Sequence, residues 1–171
     1  MVDLIEDVKQ RARLMHRCAR ARDRDALERL RDQAELRALD DAALASRVQR
    51  RHCLASLAAT LGFRSWPHAK SVLGGAMVED LGTLMHRESG GAFTNIWSAS
   101  YEEARQIRAE HGGFLLPFGE HFFIAEAPYV QRLGLDPEDP DWERIGRDWP
   151  RPADRDAWTR LTARAVAARL S

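Results

Sequence analysis

The sequence predicts an α+β fold: an N-terminal helical bundle packed on a small three-stranded sheet, with a C-terminal helix. Three observations predict it. Apolar residues recur at the helical period through about the first 75 residues, and the period changes toward that of strands beyond residue 92. Two apolar runs, Phe114–Phe118 and His121–Ala125, flank the dipeptide Gly119-Glu120. A length of 171 residues suits one domain, or two small ones sharing a core. The change of pattern divides the chain into a helical part at 1–88 and an α+β part at 89–171.

Each element has a local cause. Leu4, Val8, Ala12, Met15 and Ala19 form the apolar stripe of a first helix, about 3–21. Asp25 is positioned to cap a second helix carrying Leu27, Leu30 and Ala34. Asp40 is positioned to cap a third, carrying Leu44, Val48, Leu54, Leu57 and Leu61, with Gly62 at its C′ position. Ser65 caps the next helix and Pro67 sits in its first turn, where a missing amide proton does no harm. A short helix over 77–86 is expected to follow and to end at Gly90-Gly91.

Residues 92–98 read as the first strand. Ser100 with Glu103 forms the pattern of a capping box and opens a helix to His111. The two Phe-rich runs then form a hairpin, with Gly119 at the first position of a type II′ turn. Pairing across the turn sets Leu116 opposite Phe123 and Pro117 opposite Phe122, and both faces are apolar, so both are expected to be covered. Proline has no proton for a ladder, which makes 114–118 an edge strand and gives the order 1-3-2, a split β-α-β unit. A short helix over 127–133, one helical turn over 142–145 capped by Asp141, and a helix over 153–170 burying Trp158, Leu161, Ala165 and Val166 complete the chain.

Composition excludes several classes. With 44% hydrophobic and 30% charged residues the chain is neither a disordered tail nor a disulfide scaffold. No apolar run approaches the roughly 20 residues that cross a bilayer, so no membrane partner is expected. The acidic start, Met1 to Asp7, does not read as a secretory signal, and a cytoplasmic location is expected. Cys18 and Cys53 are then reduced thiols. Neither His16/Cys18 nor His52/Cys53 has a spacing that puts two ligands on one helix face, so no metal and no cofactor are expected. The charges balance, but residues 1–75 carry fifteen basic against ten acidic side chains and residues 76–171 carry eleven against sixteen. Opposite halves can attract each other within one molecule or between two.

The stretch Leu61-Gly62-Phe63-Arg64-Ser65-Trp66-Pro67-His68-Ala69-Lys70 resembles a helical segment of uncharacterised bacterial proteins. There a "GFxSWPxxK" corner often precedes ankyrin repeats or another attached domain. The resemblance covers about residues 5–74 and implies a helical accessory module. It carries over no catalytic residue, and no period near 33 residues follows it.

Four groups of residues are candidates for function. Trp142 and Trp149, flanked by charge and proline with Arg144 and Arg147 close by, have the residue types of an exposed interface hot spot. A basic stripe of Arg13, Arg17 and Arg20, with Arg47, Arg50 and Arg51 on the third helix, suits nucleic-acid phosphates. His111 and His121 with Glu120 are candidates for an acid–base pair near the hairpin. Arg87 to Gly91 is a two-glycine loop of the kind that nests an anion. The acidic 136–141 stretch lacks the loop glycine of a calcium site and reads as a connector. These features point first to a noncatalytic protein-interaction or regulatory module acting through a protein partner or self-association. The alternatives are a nucleic-acid-binding protein and a small enzyme.

Overall fold

The computed structural model describes residues 3–87 and 93–171. Helix α1 (Leu4–Arg20) starts where the Asp3 carboxylate accepts the Ile5 and Glu6 amides, both at 3.0 Å. It buries the predicted stripe of Leu4, Val8, Ala12, Met15 and Ala19. Helix α2 (Arg24–Leu30) is capped by Asp23, which accepts the Ala26 amide, and not by Asp25, which lies in the first turn.

The long third helix divides in two. Helix α3 (Asp41–Arg47) is capped by Asp40 as expected, and α4 (Arg50–Thr60) begins after a break at Val48 and Gln49. His16 of α1 donates from Nε2 to the Val48 carbonyl at 3.2 Å, so that carbonyl is spent outside the helical ladder. Gln49 restarts the helix by donating its amide to His52 Nδ1 at 3.1 Å. Helix α5 (Trp66–Leu73) has Ser65 as its cap and Pro67 in its first turn.

No helix forms over 77–86. The backbone there bonds to distant partners in place of its own fourth neighbours. Leu81 donates to Gly119 and Gly119 to Gly82, at 2.9 and 2.8 Å, while Thr83 donates to Gly62 at 2.8 Å. The segment is thereby pinned between the hairpin turn and the α4–α5 corner. Residue 92 of the expected first strand, and 88–91 of the glycine loop, lie outside the described residues.

The sheet has the order β1-β3-β2 and is antiparallel throughout. Strand β1 (Ile96–Ser98) is followed by α6 (Tyr101–His111), β2 (Phe114–Phe118) and β3 (His121–Ala125). The register pairs Leu116 with Phe123 and Pro117 with Phe122. Gly119 has φ +60°, whereas Glu120 stays at negative φ, which is the type II′ arrangement. One face of the sheet joins the main core through Phe114, Leu116 and Phe123. The other packs Leu115 and Ile124 under Ala104 of α6. Only half of the capping box forms: Ser100 accepts the Glu103 amide, but the Glu103 carboxylate takes the Ser98 hydroxyl.

Helices α7 (Ala127–Arg132), α8 (Pro140–Arg144) and α9 (Arg155–Leu170) complete the molecule. Asp139, not Asp141, caps α8 by accepting the Asp141 amide at 3.0 Å. Asp154 caps α9, which packs on α1, α4 and α8. One buried cluster runs from Leu4 of α1 to Val166 of α9, so the helical part and the sheet share a core.

Candidate functional site

A cleft of about 610 Å³ opens beside the start of α9. That volume falls within the range of small-molecule pockets. Its walls come from segments far apart in sequence. Residues 147–149 dock alongside β2, with the Leu115 amide on the Arg147 carbonyl at 2.9 Å and the Trp149 amide on the Leu115 carbonyl at 3.1 Å. This bridge drives the Trp149 ring inward until it is 1% exposed. Trp158 of α9 donates its indole proton to the Trp149 carbonyl at 3.0 Å, and the two ring centroids are 5.1 Å apart. The indole N–H of Trp149 itself has no acceptor.

Polar groups ring this aromatic floor. Tyr101 donates to Asp148 Oδ2 at 2.5 Å, and Asp148 Oδ1 accepts the Arg151 amide at 3.0 Å. Burial and then the Asp148 carboxylate push the Tyr101 hydroxyl well above its ordinary pKa, so it stays protonated. The Arg151 guanidinium lies 3.8 Å over the Tyr101 ring and pairs with Glu102 at 3.2 Å. The Arg155 guanidinium lies 3.8 Å over the Trp158 ring and forms no ion pair with a described residue. Partial burial lowers its pKa from the ordinary value. Gly75, at φ +79°, leaves room for that head group: a Cβ there would stand 1.5 Å from Arg155 Nη2. Two guanidiniums thus lie over aromatic rings, one of them the ring of a phenol bonded to a carboxylate.

Trp142 and Trp149, expected on the surface, are both buried, at 0% and 1% exposure. Flanking charge misled here because short helices turn neighbouring side chains to opposite sides. Trp142 packs on Phe114 with centroids 4.9 Å apart and donates to the Asp136 carbonyl, while the exposed Arg144 pairs with the buried Asp141 carboxylate at 3.8 Å. Arg147 pairs with Glu143 at 2.6 Å and lies over the Phe114 ring. The half-exposed tryptophan is Trp97.

His111, Glu120 and His121 are exposed, and no hydrogen bond or ion pair joins their side chains to any described residue. His111 ends α6 at the open end of the hairpin, and His121 lies at its turn, about 13 Å of strand away. The expected acid–base pair is therefore not assembled. His16, His52 and His68 make hydrogen bonds that tie segments together, and the His86 ring packs against Trp97, Phe118 and Phe123. His68 accepts the Arg64 amide at Nδ1 and donates from Nε2 to the Asp80 carbonyl at 2.7 Å, which ties the GFRSWP corner to the pinned 77–86 segment.

The basic residues are partly brought together. The His16–Val48 bond sets the exposed α1 stripe beside the α3–α4 break, where Arg47 and Arg50 are exposed too. Arg13 pairs with Glu6 at 2.6 Å and Arg51 with Glu35 at 3.1 Å. Arg17, Arg20, Arg47 and Arg50 form no ion pair with a described residue. Among the described residues no group of three His, Cys, Asp or Glu side chains is arranged to hold a metal ion.

Arg155, Gly75 and Trp158 are not legible as a group in the sequence, because Gly75 stands far from Arg155 along the chain and lies against it only in the fold. The one local signal was Trp158 three residues after Arg155 on a helix, a spacing that stacks side chains. No protein-family model, curated protein or solved structure matches the chain.

Proposed function

We propose that the chain is a noncatalytic interaction module that takes an extended segment of a partner protein along β1. The observation that carries this reading is the exposure of Ile96 and Trp97, at 41% and 48%, on a strand paired on one side only among the described residues. Successive strand residues point to opposite faces, so these two side chains offer an apolar surface on each. Trp97 is held rigidly, stacked on Phe123 at 4.8 Å and edge-on to Phe118 at 5.5 Å. A rigid half-exposed ring costs little entropy to bury, and an open strand supplies backbone hydrogen bonds. Free thiols at Cys18 and Cys53 support a reducing, cytoplasmic setting. No helix among the described residues is long and apolar enough to cross a membrane.

A photoreactive p-benzoylphenylalanine at position 96 tests the reading in cells that make the protein. A discrete protein adduct that disappears with Trp97→Ser is expected. An adduct with a second copy identifies self-association. Adducts indifferent to the tryptophan, or none, overturn the reading.

A second reading, nucleic-acid binding, is favoured by the four uncompensated arginines gathered at the His16–Val48 contact. It predicts low-salt retardation of RNA or DNA in a gel that is lost in Arg17→Glu/Arg20→Glu and falls steeply with salt. Retardation unchanged in that variant, or none at low salt, removes it.

A further inference from the structure

We infer that the basic face formed by α1 and the α3–α4 break binds the phosphate rows of a double-stranded nucleic acid in preference to a single strand. The inference rests on the second reading above and adds to it the class of strand.

Three observations carry it. The first is a surplus of charge that the fold leaves unpaired. Helices α1, α3 and α4 carry eight Arg or Lys against three Asp or Glu. Those three, Glu6, Asp7 and Asp41, already pair with Arg13, Arg11 and Arg31, and Glu35 pairs with Arg51. Arg17, Arg20, Arg47 and Arg50 are exposed and form no ion pair with a described residue. The acids at the start of α2, Asp23 and Asp25, line a cleft on another flank of α1, beside Leu14 and Cys18. Those two α1 side chains point about a third of a turn away from the arginines.

The second is geometry. Arg13, Arg17 and Arg20 stand three or four apart, so they form one row about 10 Å long on α1. His16, three after Arg13 and four before Arg20, donates to the Val48 carbonyl at 3.2 Å, which brings Arg47 and Arg50 to that row. A row of that length spans about three base steps of a duplex. The third is what the face lacks. The first 60 residues contain no Phe, Tyr or Trp, so α1 to α4 offer no such ring to an unpaired base. Single strands are held by stacking as well as by charge, whereas a duplex turns its base faces inward and presents the denser phosphate. Trp66, which shares a groove with Arg51 at the α4–α5 corner, is the ring that a stacking mode would use.

The test uses the full chain and fluorescein-labelled strands of about 20 nucleotides, followed by anisotropy from about 50 mM to about 1 M salt. Separate arms hold duplex DNA, duplex RNA and the single strands of each. With four contacts, the logarithm of the binding constant should fall against that of salt with a slope of about −3.6 for a DNA duplex and about −2.8 for a single strand. Referred to equal binding at about 1 M, the difference makes the duplex about tenfold tighter at about 50 mM. Arg17→Gln/Arg20→Gln should flatten the duplex slope by about 1.8. Trp66→Ala should leave duplex binding unchanged, and circular dichroism checks that each variant is folded. The duplex arm that saturates at lower concentration identifies DNA or RNA as the source. Single strands bound as tightly as duplexes, or binding lost in a folded Trp66→Ala, overturns the inference while the second reading stands. A slope indifferent to the two arginines, or no binding of any strand at the lowest salt, removes the second reading and the inference with it.

Discussion

Asp141 is 4% exposed and sits between two arginines of α9. Arg160 reaches it with two hydrogen bonds, at 2.9 and 2.6 Å, and Arg164 with one at 3.2 Å. These bonds, those of Arg160 foremost, outweigh the cost of burial and hold the carboxyl at about 2, against 3.8 for the free side chain. A folded pKa below the unfolded one gives stability that is complete above about pH 4 and is lost as pH falls through about 2. Both arginine heads are partly exposed, so solvent screening limits the effect to the order of 1 kcal/mol. Asp141→Asn is therefore expected to lower the urea midpoint near neutral pH, and the gap to wild type should close by about pH 2. A gap that stays constant on acidification would show that the ion cluster contributes nothing. Sequence reading made this residue a helix cap because capping is decided within three positions. Arg144 is a local partner at 3.8 Å, but the arginines that hydrogen-bond Asp141 lie 19 and 23 positions away. Trp142, its neighbour, was misplaced on the surface for the same reason.

At the scale of elements, the legible parts are those whose geometry is fixed by a few adjacent residues. Gly119, Pro117 and the alternation of Phe-rich segments determine the hairpin, its register and its edge, and all three stand in one twelve-residue stretch, 114–125. Gly119 is the residue on which that local code turns. Its φ of +60° is strained for any residue with a Cβ, at about 1–2 kcal/mol. Gly119→Ala is expected to destabilise by that amount in urea unfolding, and Gly119→Asn by less, since Asn tolerates the left-handed region. Equal stability of all three proteins would contradict the type II′ assignment. The illegible elements are those in which a backbone group is claimed from afar. The 77–86 segment has helical periodicity, yet its amides go to Gly119 and Gly62. The α3–α4 break did leave a trace. The apolar positions slip by about a third of a turn between Val48 and Leu54, a phase error that one continuous helix does not carry. The cleft belongs with these illegible parts, since Gly75, Tyr101 and Arg155 come from three separate elements and meet only in the folded chain.

For the whole molecule, what joins the positive half to the negative half decides how it unfolds. Charge was one candidate, but among the described residues the pairs that cross residue 75 centre on Asp80, with Arg64 at 3.0 Å and His68 at 3.8 Å. Arg169 adds a bond that crosses the same boundary, to the Thr60 carbonyl at 3.1 Å. The larger connection is apolar: α9 lays Leu161, Ala165 and Val166 into a core that α1 and α4 also line. Hydrophobic burial scales with area and is little affected by ionic strength, whereas exposed pairs are screened within about 10 Å at 0.1 M salt. Unfolding is therefore expected to be a single transition, coincident by far-ultraviolet circular dichroism and by tryptophan fluorescence. Raising the salt to about 0.5 M should shift it by less than about 1 kcal/mol. Trp158→Ala, in the wall shared by the cleft and the core, should cost about 3–5 kcal/mol and lower both signals together. Residues 1–87 alone, which keep α1 to α5 but lose α9, should lack a cooperative transition. Two separable transitions, or a fragment that unfolds cooperatively, would show that the helical part owes nothing to the sheet and α9, and that the shared core is contact without coupling.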